Sequence, residues 1–341
     1  FGLLILFSAS EYNGRVRFGD SACYFKKQLF ATALGMGVMY MVSSIDYHFF
    51  LRLGPVAYLI SMFLSGAVLF AGQEINGSKR WLNLGPLSFQ PSEFAKVAVI
   101  LFLAWQIERT KKATRGFGFM CRTILTLLPI IGLVGSNNLS TAIIVMAITL
   151  LLLFLVHPKT KRFVIFVCVV LVLAVIVVAY LKIQISDMAT STDFRMRRII
   201  AWLNPEANSD KDSYQFLQGL YAIGSGGFFG KGLGNSTQKL SAIPEAQNDM
   251  ILTVICEELG VFGAILILCL FGFMLYRLMF IARNAPDLYG SLIAAGIFSH
   301  IALQVILNIA VVTGLIPTTG VTLPFISYGG TAVIFLLAEM G

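Results

Sequence analysis

The chain has 341 residues, 57% of them hydrophobic and only 12% charged, with a mean hydropathy of +0.82. A soluble domain has no means of burying that much apolar surface, so the composition excludes that class and points to a polytopic membrane protein. The net charge of +8 calls for no nucleic acid, because basic loops beside membrane spans produce such an excess.

A helical crossing needs about 20 apolar residues. The hydropathy pattern predicts about ten: 1–10, 28–45, 53–72, 93–107, 123–136, 139–156, 163–181, 250–276, 288–314 and 327–341. The expected fold is therefore all-α, one membrane domain over 1–341. Phe1–Ser8 reads as the second half of a span and Gly341 closes a run that is still apolar, so both ends read as cut. Orientation follows from the short loops. Arg52, Arg109, Lys111, Lys112, Arg115, Arg122, Lys159, Lys161, Arg162, Arg277 and Arg283 occupy one alternate set, and Arg15, Arg17, Lys26, Lys27, Lys79 and Arg80 the other. The richer set is cytoplasmic. That places residues 182–249, between the seventh and eighth spans, in a large extracytoplasmic loop.

The five cysteines form no CxxC and no Cys/His cluster, which indicates neither a disulfide framework nor a thiolate metal site. His48, His157 and His300 carry no ligand spacing and read as structural. In the second external loop, Pro91 suits the first turn of a helix and Glu93 is favoured by the helix dipole. Lys96 shares a face with Glu93 as an i,i+3 pair, and serves either as a snorkelling partner or as a substrate-facing cation. The polar junction Gly135–Thr141 has the composition to satisfy two helix ends.

Within the large loop, Thr192 or Asp193 can cap a basic amphipathic helix, Phe194–Leu203, bearing Arg195, Arg197 and Arg198. Three arginines on the external side are not explained by loop-charge rules, and they suit a phosphate-rich head group. Ser213–Ile223 places Tyr214, Leu217, Leu220 and Tyr221 on one stripe, expected to pack. The run Gly224–Gly234 fails as a phosphate-binding P-loop, because the first glycine of that pattern falls on Ser225 and the position after Lys231 is Gly232. It leaves backbone N–H groups and Lys231 available to an anion. Downstream, Asp249, Glu257 and Glu258 stand at the start of the eighth span. Carboxylates there cost roughly 2.5–3.5 kcal/mol of insertion free energy, so a role is expected of them. For Asp249 that role is an N-cap or a catalytic base. The Pro/Gly/Thr-rich stretch Gly314–Gly330 reads as an external re-entry, tolerated only where protein-buried or facing a wet cleft.

Three stretches, in order, carry a family likeness. They are Arg80-Trp-Leu-Asn-Leu-Gly with Gln90-Pro-Ser-Glu-Phe-Ala-Lys96; Tyr214–Gly234 with Pro244-Glu245, Asp249 and Glu257-Glu-Leu-Gly260; and Leu323-Pro-Phe-Ile-Ser-Tyr-Gly-Gly330. They span nearly the whole chain, which resembles the SEDS proteins (shape, elongation, division and sporulation), the FtsW/RodA group. Gly232–Leu240 is similar to the FtsW/SpoVE branch. The resemblance implies a multi-pass glycosyltransferase of the bacterial plasma membrane. It would polymerise lipid II into glycan strands with a class B penicillin-binding protein and other division-complex membrane proteins, using a divalent cation, Mg or Mn. The family's key carboxylate falls on Asp249. Trp81, Gln90, Pro91, Glu245, Glu257, Glu258, Ser327 and Tyr328 fall in the shared motifs as supporting residues; no metal ligands are assigned. Two positions depart from the pattern: Asn137-Asn138 offers no acid between the fifth and sixth spans, and Gln247 stands where histidine is common.

Lipid II keeps its tail in the bilayer, its pyrophosphate at the interface and its sugars outside. Asp249 is then the base, with Arg195, Arg197, Arg198, Lys231 and Lys96 as candidates for the pyrophosphate. A lipid II flippase and a non-catalytic scaffold for the transpeptidase remain as alternatives. The orientation itself is testable by impermeant cysteine labelling in intact cells. Single cysteines placed in 182–248 should react and those in 108–122 should not; the reverse pattern would invert the topology.

Overall fold

The computed structural model describes residues 1–75, 78–84, 87–110, 117–157, 161, 164, 165, 168, 172, 194–203, 211–240, 243 and 246–341. Eleven helices and a small sheet are described. They are α1 (Gly2–Phe18), α2 (Cys23–Ser43), α3 (His48–Ala71), α4 (Pro91–Arg109), α5 (Phe117–Asn137), α6 (Leu139–Val156), α7 (Phe194–Leu203), α8 (Lys211–Gly226), α9 (Ile251–Asn284), α10 (Leu288–Val312) and α11 (Gly330–Met340). Among the described residues, five helices are long and apolar enough to cross a membrane. The span expected at 163–181 and the cap expected at Thr192 or Asp193 lie outside the described residues.

Most expected elements sit where their local signals put them. Pro91 opens α4 with Glu93 in its first turn. Only Asn138 separates α5 from α6, and its side chain accepts the backbone N–H of Thr141 at 3.2 Å. The loop between α3 and α4 differs from the expectation: it forms an antiparallel sheet, β1 (Gln73–Ile75), β2 (Ser78–Leu84) and β3 (Leu87–Phe89). Trp81 pairs with Gln73, and Leu82 with Phe89.

The helices surround two cores that share α10. One gathers α1, α8, α9 and α11 around Ile251, Ile255, Ile301 and Val305; the other gathers α3–α6 around Val99, Leu103, Ile130 and Ile148. Polar ties join elements across the bundle. His300 meets Glu339 at 2.8 Å, and His48 bridges Asp46 and Asp287 at 2.7 and 3.0 Å.

The stripe expected to pack on α8 is corrected. Tyr214 and Tyr221 are 46% and 58% exposed, whereas Phe216, Gly219, Ala222 and Gly226 are buried. The small residues let α8 approach α9 closely. A Cβ on Gly226 would meet the carbonyl oxygen of Cys256 at 1.9 Å.

The most consequential local feature is a break in α9. Gly260 adopts φ 68°, ψ −165°, a region open essentially to glycine alone. The chain after α8 fills the gap. Lys231 and Gly232 donate their N–H groups to the carbonyls of Glu257 and Glu258, both at 2.9 Å; Val261 and Phe262 donate to Gly227 and Phe228, both at 3.1 Å. Two interrupted i→i−4 hydrogen bonds are thereby replaced at both of their ends. A Cβ on Gly260 would stand 2.3 Å from the carbonyl oxygen of Phe228. Gly260→Ala should therefore lower the melting temperature of the detergent-solubilised protein, with about 1–3 kcal/mol from backbone strain alone. Gly272→Ala, in the same helix with nothing within 4 Å of its Cβ position, should be neutral or stabilising. Equal effects would show that the break is not a stability determinant.

Candidate active site

Polar groups concentrate at the end of the bundle where α4, α6 and α9 begin and α10 ends. The apolar helix α10 carries two amides one turn apart, which therefore share a face. Asn308, fully buried, donates through Nδ2 to the carbonyls of Asp249 (2.9 Å) and Val321 (2.8 Å). Gln304 donates to the carbonyl and hydroxyl oxygens of Thr322 at 3.0 and 3.2 Å and accepts Lys96 Nζ at 3.2 Å. Lys96 in turn pairs with Glu93 at 2.9 Å, with side chains 2% and 9% exposed. This chain of bonds clamps residues 321–322 of the α10–α11 segment beside the turn that carries Asp249.

Gly320, at φ +72°, ends that clamp. A Cβ built there would lie 3.8 Å from Arg80 Nη1 and 3.9 Å from Asp249 Oδ2. The guanidinium and the carboxylate thus both lie beside one residue that has no side chain. Arg80 is oriented by a hydrogen bond from Nε to the Asn137 carbonyl at 2.9 Å, and Ser140 Oγ donates to the Thr319 carbonyl at 2.8 Å. Both side chains of the Arg80–Asp249 pair are half-buried. Met250 holds the N-cap position of α9, one residue after Asp249.

Glu257 and Glu258 are fully buried and act on the glycine-rich loop. Glu257 accepts from Lys231 Nζ (2.6 Å), Ser236 Oγ (2.5 Å), Thr237 Oγ1 (2.9 Å) and Ser225 Oγ (3.3 Å), and from the N–H groups of Thr237 and Gln238 at 3.2 and 3.3 Å. Glu258 accepts from Lys239 Nζ at 2.7 Å and from Ser8 Oγ at 2.7 and 2.8 Å. Two charges and a set of hydroxyls thus pin the loop to the broken helix.

The other sequence-selected residues sit around this frame. Trp81 is half-buried on β2, and Gln90 Nε2 donates to Ser92 Oγ at 3.0 Å. Ser327 Oγ accepts the Leu323 N–H at 2.8 Å; Tyr328 donates its N–H to the Gln247 carbonyl at 2.9 Å and meets the Tyr24 ring edge-on. Arg197 is exposed and Arg198 half-buried on α7. The Trp202 indole donates to the Gly314 carbonyl at 2.7 Å, docking α7 on the α10–α11 segment. Glu245 and the Arg195 side chain lie outside the described residues. Among the described residues no three acidic, His or Cys side chains group as a metal cage. Residue-level reading missed Arg80 as a site residue, together with Gln304, Asn308, Lys239 and Ser8. The available signals were Lys79-Arg80 in the α3–α4 loop and two amides spaced i,i+4 in an apolar helix.

Fold and site together define a multi-pass α-helical membrane protein whose polar centre is built at one end of the bundle from segments distant in sequence. A family model described as "Cell cycle protein", that of FtsW, RodA and SpoVE, matches residues 1–341, and the chain belongs to this family. It is 37% identical over 344 residues to "Stage V sporulation protein E" of Bacillus subtilis, covering all of this chain and 91% of that protein. It is 35% identical over 345 residues to "Probable peptidoglycan glycosyltransferase FtsW" of Trichlorobacter lovleyi, covering 100% and 88%. Among solved structures it is similar to a chain of "a peptidoglycan synthase complex" coordinating polymerization and crosslinking. The TM-score is 0.76 at 28% identity, over 99% of this chain and 94% of that one. It is also similar to the rod shape determining protein RodA of Thermus thermophilus, with TM-score 0.64 at 25% identity, over 99% and 91%.

The loop anchor is open to a direct test. Lys239 and Glu258 side chains are 3% and 0% exposed, so Lys239→Met strands a buried carboxylate and should cost roughly 3–5 kcal/mol. Adding Glu258→Gln should recover most of the loss in thermal unfolding. A single variant as stable as the double would show that the pair does not hold the loop.

Proposed function

We propose that this chain is a peptidoglycan glycosyltransferase that polymerises lipid II at the outer face of the bacterial plasma membrane, in division or sporulation. The observation that carries the site assignment is the placement of Asp249 and Arg80 beside the same residue, Gly320. Extending a glycan requires a sugar hydroxyl to attack the anomeric carbon of the next unit. The new glycosidic bond forms as the bond to the pyrophosphate oxygen breaks, and the polyprenyl pyrophosphate leaves with the electron pair. Asp249 takes the hydroxyl proton as general base, a role worth typically ~10²–10⁴-fold. Arg80 faces the negative charge that grows on the leaving group.

The cations divide by position. Lys96 is engaged by Glu93, and Lys231 by Glu257. Arg80 sits at the carboxylate, while Arg197 and Arg198 stand on α7, which docks on the same α10–α11 segment. These three arginines make up the proposed pyrophosphate site. A divalent cation fits the donor set in the manner usual for Mg²⁺, with one carboxylate, here Asp249, and substrate phosphate oxygens. When bound it would neutralise pyrophosphate charge. Crosslinking falls to a partner transpeptidase, a class B penicillin-binding protein. The relative described as a synthase complex coordinating polymerization and crosslinking supports that assignment.

Asp249→Asn preserves shape and removes the base. With lipid II, Mg²⁺ or Mn²⁺ and the cognate transpeptidase, glycan strands on a gel should fall by roughly two orders of magnitude or more. Folding, partner binding and separately assayed lipid II flipping should be unchanged. Near-normal strand synthesis by this variant would remove Asp249 from the chemistry and favour a scaffold or flippase.

A further inference from the structure

The opposite end of the bundle carries a second polar feature, unconnected to the site above. A cavity of about 820 Å³ opens between the C-terminal end of α4 and the start of α5. Phe102 and Trp105 form one wall, within a longer run of stacked groups. Tyr58 stacks on Phe102 at 4.4 Å, Phe102 meets Trp105 at 5.6 Å, and the Arg109 guanidinium lies 5.5 Å from the Trp105 ring centre. Phe119 adds apolar surface, and Arg122 faces the cavity from α5. The lining thus grades from aromatic inside to cationic at the rim. Arg109 makes only the Trp105 stack, and Arg122 makes no ion pair, among the described residues. Glu108, next to Arg109, does not line the cavity.

Basic loops are ordinary on the cytoplasmic side of a membrane protein. A basic rim above an aromatic-walled cavity of ligand size is not. Two guanidiniums match a phosphodiester bidentately. A soluble phosphate would use the rim alone and leave the aromatic wall unoccupied, whereas a phospholipid supplies both a head group and an acyl chain. Basic pockets between membrane helices on this side are suited to anionic head groups. We propose that the α4–α5 cavity is a binding site for an anionic phospholipid, its phosphodiester held by Arg109 and Arg122 and an acyl chain laid along Phe102, Trp105 and Phe119.

The test uses the whole purified chain in a neutral detergent. It is titrated with phosphatidylglycerol, with phosphatidylcholine of the same acyl chains, and with glycerol 3-phosphate. Phosphatidylglycerol should raise the melting temperature saturably, and at lower concentration than phosphatidylcholine, whose choline cation would stand beside the two guanidiniums; glycerol 3-phosphate should not raise it. Arg109→Gln/Arg122→Gln should raise the half-saturating phosphatidylglycerol concentration about 30-fold, the effect of two basic residues at an anionic surface, and leave the lipid-free melting temperature unchanged. An equal response to phosphatidylcholine, a response to glycerol 3-phosphate, or an unshifted half-saturation overturns the site. Should the double variant not fold, the unmodified protein decides. A phosphatidylglycerol with a photoreactive acyl chain should label peptides within 102–126, and labelling confined to other peptides overturns the proposal.

Discussion

Inside a membrane bundle every backbone N–H and C=O must find a partner in the protein, because no water is at hand to replace one. The break at Gly260 is organised around that constraint. Breaking a helix there strands two carbonyls and two N–H groups, each costing several kcal/mol if left unmade. The loop from Gly227 to Gly232 supplies two donors to the first pair and two acceptors to the second. Such an exchange needs backbone against backbone, which side chains would prevent. On Gly230 a Cβ would come within 2.2 Å of the Glu258 carbonyl oxygen. Helix break and glycine-rich loop are therefore one structure made from two separated stretches of chain.

The two glutamates extend this exchange from backbone to side chain. A buried ion pair is close to break-even in stability, since desolvation offsets attraction. What the Glu257 and Glu258 networks supply is register. Glu257 is met by a lysine, three hydroxyls and two N–H groups, an arrangement that a loop shifted by one residue would not reproduce. Fixing the loop fixes the first turns of α9, and with them the turn at 246–250 that carries Asp249. Asn308 of α10 secures the same turn from the other side. The backbone that carries the carboxylate is thus held from two directions.

Legibility in the sequence followed the range of the interactions. Boundaries set by neighbours a few residues apart were readable. Pro91 opens α4, Asn138 divides α5 from α6, and the basic helix Phe194–Leu203 has the expected limits. Features set at long range were not. Gly260 lies in an apolar run and has no local mark; its conformation answers to Phe228. Arg80 counted only as loop charge, because its orientation depends on β2 and on the end of α5. The α8 stripe misled for a related reason. Large aromatic residues are ordinarily assigned to the core, but close helix packing in membranes favours small ones. Here Gly219, Ala222 and Gly226 face α9, and the tyrosines are left outside.

The distribution of positive charge decides which residues remain for chemistry. Lys96, Lys231 and Lys239 each end on a buried carboxylate. A lysine so used cannot follow a phosphate group through a reaction without leaving that carboxylate unpaired, at a cost of roughly 3–5 kcal/mol. Arg80 stands instead beside Asp249, at the proposed site of the chemistry. Its Nε is bound to a neutral backbone carbonyl, which fixes the plane of the guanidinium while leaving Nη1 directed toward Gly320. A planar donor held by one edge is pre-organised for an oxyanion at the other. The same frame accounts for glycine at 320. The residue lies beside both the cation and the base in a left-handed backbone conformation that L-residues rarely adopt.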